Sequence, residues 1–293
     1  MKRVAFIFPG QGSQYSGMFE KVKEYQTASF YLSKYKEILG YSFEDLSDDE
    51  LLPTNITQPA IYTMSAIYLK ILEDKGIKPF MLAGHSLGEF SALLAGGCYS
   101  FEDGLRIVSY RGLIMKNATK DTPGTMAAII GINNEKIKNI CLKSSHIGIV
   151  EPANYNSLEQ IVISGEVEAV NYACDLAKKE GAKLTKILNV SAPFHSSLML
   201  KINKVFENKL EEFNIKNSNI PIVQNYDANI HQDSKIIKRN LVYQLSSPVL
   251  WDDSIEQIRR RGATEFVEIG PRKVLTNLCK SNKIVAYSSE DLI

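Results

Sequence analysis

The sequence predicts an α/β fold in two parts, a discontinuous large domain built on a parallel sheet and a small ferredoxin-like subdomain inserted into it. Three observations lead there. Short buried-type strand runs alternate with helical runs over residues 1–124; over 125–190 the pattern shortens to a β-α-β-β-α-β order; and the longer alternation resumes over 191–293.

In chain order, Val4 to Phe8 is a β-branched and aromatic run ended by Pro9-Gly10, which reads as a buried first strand. A helix is expected from Met18 to Leu39, stopped by Gly40, and a second from about Pro59 to Asp74, with Gly76 as its C-terminal cap. "FMLAG" reads as a short strand that runs straight into "HSLGEF". Ser100 followed by Asp103 resembles an acidic capping box for the helix that carries "FEDGLRIVSYRGLIMKNA". In the insert, "TMAAIIGI", "GIVEPANY", "QIVISG" and "KLTKILNV" are strands, and "NEKIKNICLKS" and "VEAVNYACDLAKKEG" are helices. The large domain then continues with a helix from Ser196 to Phe213, the strand "IPIVQN", helices near 235–245 and 250–261, the strand "EFVEIG", and a last helix and strand.

The 293 residues are 44% hydrophobic and 23% charged, ordinary for a globular chain, and the formal net charge of +1 provides no global field for nucleic acid or an anionic membrane. Neither partner is expected. The four cysteines, Cys98, Cys141, Cys174 and Cys279, form no C-x-x-C pair, which argues against zinc and against a disulfide framework and fits a reducing cytoplasm. The apolar run at the N-terminus stops at Pro9, too short for a secretory core, and no window reaches the roughly 20 apolar residues of a membrane span.

The chemistry is read from "AGHSLGEF". Gly84-His85-Ser86-Leu87-Gly88 has the G-x-S-x-G form, which projects a serine from a tight strand-to-helix bend, as at the nucleophile elbow of an α/β-hydrolase-like domain. The same bend puts the hydroxyl at a helix N-terminus, where the N–H of Leu87 is a natural oxyanion donor. A nucleophilic serine needs a base, and the chain offers His85, His146, His195 and His231. His195 stands where the insert rejoins the large domain, the expected place of a cleft, and is preferred; His146 and His231 read as surface residues. "FPGQGSQ" follows the first strand but lacks the spacing of a phosphate loop. Arg111 sits among apolar residues in "LRIVSYRGLIM", where a charge is either functional or reaches out to a surface carboxylate.

Together with "TQPA" at 57–60, "YRG" at 110–112, "GTMAAI" at 124–129, "ANYNS" at 153–157, "PFH" at 193–195 and "EIGP" at 268–271, these segments resemble, in order and over the whole chain, the malonyl-CoA:acyl carrier protein transacylases and the acyltransferase domains of polyketide synthases. The resemblance implies Ser86 as acyl-accepting nucleophile, His195 as general base, and the N–H groups of Gln11 and Leu87 as the oxyanion hole. It assigns Gln244 the main-chain carbonyl that orients the histidine, and Arg111 the bidentate grip on the malonyl carboxylate. Asn154 and Phe194 match residues of the pocket, the latter a bulky side chain that accompanies malonyl over methylmalonyl. The implied cycle is ping-pong, with malonyl-CoA as substrate, a phosphopantetheinylated acyl carrier protein as acceptor, and no permanently bound cofactor or metal. Lys235, Lys238 and Arg239 are the expected cationic docking surface for that acidic protein.

Departures from the family pattern are Leu158-Glu159 in place of Pro-Gly and Arg272 in place of glycine. They leave open a free-standing acyltransferase serving a polyketide synthase. An editing acyl hydrolase has no use for Arg111, an idle docking module would not need Ser86 and His195, and an ordinary esterase would place a histidine near the C-terminus, where none follows His231.

Overall fold

Two sheets organise the chain in the computed structural model, which describes residues 3–121, 123–190 and 192–293. β1 (Val4–Phe8) is buried on both faces, as the interior strand of a parallel sheet must be. A 3-10 turn over Met18–Lys21 and a bend separate it from α1 (Gln26–Leu39), so the single helix expected from Met18 is broken; Gly17 in the left-handed region starts the short turn. α2 (Thr54–Asp74) begins a turn before Pro59, which was expected to start it. Pro59 lies inside the helix, in its second turn, where it removes one main-chain hydrogen bond, and nearly the whole of α2 is buried, so packing rather than local preference decides its start.

β2 (Met81–Gly84) leads through the serine turn into α3 (Gly88–Ala95), and α4 (Phe101–Asp121) follows with its Asp103 N–H donated to Ser100 Oγ at 3.1 Å. The chain then enters the second sheet. β3 (Thr125–Ile130), α5 (Asn134–Ser144), β4 (Val150–Ser157), β5 (Gln160–Gly165), α6 (Val167–Lys179) and β6 (Leu184–Ile187) form an antiparallel sheet of order β4-β5-β3-β6, the ferredoxin-like order, with its own apolar core around Ile129, Ile137, Ile163 and Val170.

The remaining segments return to the first sheet. A 3-10 turn at Ser197–Met199 precedes α7 (Leu200–Leu210), shorter than the expected 196–213 helix, followed by β7 (Ile222–Val223), β8 (Ile230–His231), α8 (Ser234–Gln244), α9 (Trp251–Arg260), β9 (Glu265–Glu268), α10 (Val274–Ser281) and β10 (Ala286–Ser288). The order is β10-β9-β1-β2-β7-β8; every pairing is parallel except β7 with β8, so the sheet is mostly rather than wholly parallel. β8 was not expected: two residues are too few to show an alternation. The expected division at 190/191 touches Ser191, which lies outside the described residues. No helix among the described residues is long and apolar enough to cross a membrane.

One main-chain contact ties the parts together at the site. Tyr155 N–H donates to the Val249 carbonyl at 3.0 Å and Val249 N–H to the Ala153 carbonyl at 2.9 Å, so β4 of the insert is docked, at Asn154, on the segment before α9.

Candidate active site

The serine turn lies at the carboxyl end of β2, beside that of β1, where an open α/β sheet leaves room for a ligand. Its glycines are required by close approach. A Cβ on Gly84 would lie 1.9 Å from the Gly88 carbonyl carbon, and one on Gly88 1.9 Å from the Phe8 carbonyl oxygen. Ser86 has φ 50°, a left-handed conformation held by Asn225, whose Oδ1 accepts the Ser86 N–H at 2.7 Å and whose Nδ2 donates to the Gly84 carbonyl at 2.6 Å.

The structure brings His195 to the serine: Ser86 Oγ and His195 Nε2 are 2.7 Å apart. His195 Nδ1 stands 2.8 Å from the Gln244 carbonyl, which can only accept, so Nδ1 carries the proton and Nε2 offers its lone pair to the serine hydroxyl. Burial, with the nearby Arg111 charge, lowers the His195 pKa to about 3 against the pull of the Gln244 carbonyl, which keeps the ring neutral and ready as a base.

The other histidines point elsewhere. His85 Nε2 donates to Asn156 Oδ1 at 2.8 Å, His146 is exposed on the insert, and His231 pairs with Asp227 at 2.8 Å. His231 lies in a short strand and is partly covered rather than fully at the surface.

Arg111 is 1% exposed. Its Nη2 donates to Ser86 Oγ at 3.1 Å and to Gln244 Oε1 at 2.9 Å, its Nη1 to Gln58 Oε1 at 2.7 Å, and its carbon lies 5.3 Å from the centre of the Phe90 ring. These acceptors are neutral. Among the described residues Arg111 makes no ion pair, its Nε is buried without an acceptor, and desolvation lowers its pKa to about 9, opposed by the charge of Glu89. A buried cation with vacant donor capacity beside a nucleophile is a receptor for an anion.

A cavity of about 110 Å³ opens on these groups, lined among others by Gln11, Ser86, Leu87, Arg111, Asn154, Phe194 and His195. Among the described residues the Gln11 and Leu87 N–H groups have no protein acceptor, as oxyanion donors require. Gln11 is held by Thr54, which donates to its Oε1 at 2.9 Å. Past Gln11, Val190 and Phe194 the cavity shares its wall with a wider opening of about 370 Å³, lined by Leu52, Pro53 and Lys116.

Sequence reasoning missed the amides around this cluster. Gln58 lies in "TQPA", Asn156 in "ANYNS" and Asn225 in "IPIVQN", but none of the three was singled out as a site residue, and neither was the carboxylate Glu89, although it directly follows the serine pentapeptide. The cationic surface is also less free than expected: Lys238 pairs with Glu211 at 3.0 Å and Arg239 donates to Asn240 Oδ1.

Comparison with known proteins agrees over the full length. The acyl transferase domain family matches residues 5–283. The chain is 40% identical over 303 residues to the malonyl CoA-acyl carrier protein transacylase of Bacillus subtilis (strain 168), covering 100% of this chain and 96% of that one, and 40% identical over 297 residues to that of Staphylococcus aureus (strain MSSA476), covering 99% and 96%. Its structure is similar to the acyl-carrier-protein S-malonyltransferase of Burkholderia pseudomallei 1710b, with a TM-score of 0.96, 36% identity and coverage of 99% and 98%. It is also similar to a malonyl-transacylase in complex with a type II PKS acyl-carrier protein, with a TM-score of 0.94, 37% identity and coverage of 98% and 96%. The chain belongs to the malonyl CoA-acyl carrier protein transacylase family.

Proposed function

We propose that the protein carries a malonyl group from malonyl-CoA to the phosphopantetheine thiol of an acyl carrier protein, through a malonyl ester on Ser86. The observation that carries this reading is the buried Arg111 guanidinium, 3.1 Å from the Ser86 hydroxyl and without an anionic partner there. A malonyl thioester has its reacting carbonyl and its free carboxylate separated by one methylene, a spacing that suits a nucleophile and a cation in such proximity.

In the first half-reaction Ser86 Oγ attacks the thioester carbon while its proton passes to His195 Nε2. The oxyanion is met by the Gln11 and Leu87 N–H groups. As it collapses, the C–S bond breaks and the proton on Nε2 goes to the departing CoA sulfur. The second half-reaction runs the same steps in reverse, with the carrier thiol giving its proton to His195 and attacking the ester. A thioester is exchanged for a thioester, so serine, imidazole and two main-chain donors supply the chemistry without a resident cofactor.

The arrangement also favours the right substrate in the chemical step. After burial, Arg111 is the largest of the causes that hold His195 neutral. A bound malonyl carboxylate cancels that charge, so the imidazolium that must form is less opposed when malonyl, rather than acetyl, occupies the pocket. Phe194 and Asn154 would close the pocket around the acyl chain. The similarity to a malonyl-transacylase of a type II polyketide system supports a second reading, service to a polyketide carrier, in which every step is the same.

Intact mass after brief exposure to malonyl-CoA or acetyl-CoA tests this. One malonyl should add to the wild type and none to Ser86→Ala, with acetyl loading poor. Arg111→Ala should slow malonyl loading by roughly a hundredfold or more and lose the preference over acetyl. Unchanged malonyl selectivity in Arg111→Ala would overturn the assignment.

A further inference from the structure

Beneath the serine turn lies a carboxylate that the transfer steps do not use. Glu89, in the first turn of α3, is fully buried, and its two oxygens accept three N–H groups: Gln224 Nε2 at 2.9 Å on one, the Asn225 main chain at 2.7 Å and Gln244 Nε2 at 3.1 Å on the other.

Two of those donors belong to residues that hold the reacting groups. Asn225 fixes the strained Ser86 backbone. Gln244 does more: its Nε2 also donates to the Ser86 carbonyl at 3.0 Å, its Oε1 accepts from Arg111, and its main-chain carbonyl orients His195. An amide can face either way, and only an acceptor behind it decides which. With the Glu89 carboxylate and the Ser86 carbonyl both on its inner side, Nε2 turns inward and Oε1 turns to the guanidinium. Were the amide reversed, its NH₂ would confront Arg111 and the cation would lose one of its few acceptors.

Resting on the reading of Ser86 and Arg111 above, we propose that Glu89 is the positioning residue of the site: as a buried carboxylate it fixes the Gln244 amide and the Asn225 loop, and it is the fixed counter-charge of the otherwise unpaired Arg111. Nucleophile, base and anion receptor are thereby each one residue removed from a single side chain. A simple helix-capping role does not account for this, since the bonds of Glu89 go to the β7 end and to α8 and none is to the N-terminus of its own helix.

The charge of Glu89 faces Arg111 from α4 and the Tyr99 phenol from the segment before α4; α8 and the β7 end present neutral amides, Gln244, Gln224 and Asn225. Burial raises the Glu89 pKa to about 7, while its hydrogen bonds and Arg111 act the other way. The carboxylate is therefore ionised above that pH and takes a proton below it, in a range where His195 stays neutral.

The experiment compares wild type, Glu89→Gln and Gln244→Met in single-turnover labelling of Ser86, with malonyl-CoA and separately with a neutral fluorophosphonate, from about pH 5 to 9. Glu89→Gln keeps shape and one acceptor oxygen but loses the charge. It should slow both labels roughly tenfold or more near pH 8, mainly in the rate at saturation. The wild-type rate should fall as pH drops through about 7 and approach that of Glu89→Gln, which lacks this limb. Gln244→Met, which keeps the carbonyl to His195, should slow labelling too, and the double variant should be no worse than the poorer single one. Equal rates and equal pH profiles for wild type and Glu89→Gln would overturn the proposal. If Glu89→Gln does not fold, wild-type rates in Gln244→Met would do the same. Fluorophosphonate labelling of the wild type without malonyl loading would sink the malonyl reading alone, and the same neutral probe would still decide for or against Glu89.

Discussion

Along β5 the insert pairs with β3 residue for residue, from Thr125 opposite Gly165 to Ile130 opposite Gln160, and α5 starts on Asn133, whose side chain accepts the Lys136 N–H. Between Gly84 and Gly88, by contrast, a serine takes a left-handed φ, two glycines touch neighbouring backbone, and α3 has no side-chain cap. The insert obeys local rules and buries an apolar core. The turn breaks them, and the surrounding amides and one carboxylate hold it in place. Chemistry sits where the local rules are overridden, because a left-handed serine and a desolvated cation are a conformation and a charge state that an ordinary core would not keep.

The sharpest way to break this contrast is Gly88→Ala. Its Cβ would fall 1.9 Å from the Phe8 carbonyl oxygen, main chain of the central strand, which has no rotamer to yield. A loss of about 3 kcal/mol or more is expected in urea unfolding. Unfolding within a few tenths of a kcal/mol of wild type would mean that the turn repacks and is not the tightly held element described above.

A second effect comes from His195 itself. The folded pKa lies near 3, below the ordinary 6.5, so below about pH 6.5 the unfolded chain binds a proton that the folded one does not. This term withdraws stability progressively as pH falls from about 6.5 toward 3, amounting to roughly 2 kcal/mol by pH 5. Glu89 and Glu268, both raised to about 7 by burial, act in the opposite sense: each gives back stability as pH falls from about 7 toward 4.5. The whole-protein profile therefore mixes the two. The difference between wild type and His195→Gln isolates the first, and urea unfolding at pH 7 and pH 5 should show the variant gaining on the wild type at the lower pH. A constant difference would mean that His195 is not held neutral in the fold.

Much of this was legible in the sequence, and unevenly so. Ser86 announced itself because its constraint is local: a strand, a G-x-S-x-G bend and a helix within one short stretch. Arg111 was visible as a charge in an apolar helix, and His195 by its place where the insert rejoins the large domain. The amides were not legible. Gln58, Asn156 and Asn225 acquire their roles from neighbours 53, 71 and 139 positions away, and nothing in a polar residue's own surroundings announces such a partner. The helix ends failed for a related reason. Pro59 looked like a start, but burial of α2 carries the helix a turn further back; Met18 looked like one too, but a bend intervenes before Gln26.

The smallest expected effect probes the regular side of the comparison. Ile163 on β5 is fully buried in the insert's core and lies opposite Ala127 on β3 and Pro152 on β4. Ile163→Val removes one methylene and should cost about 1 kcal/mol in unfolding. The strand it supports, β4, also carries Asn154 at the cavity and Asn156 on His85. If the insert serves as a rigid wall, malonyl loading of Ser86 should stay within about twofold of wild type, because a well-packed strand absorbs the loss of a methylene without moving its main chain. A loading rate that falls several-fold alongside so small a loss of stability would show the opposite: the packing of the insert and the geometry of the serine turn would then be one mechanical unit, joined through the Asn154–Val249 contact, and the division between regular scaffold and strained site would not hold.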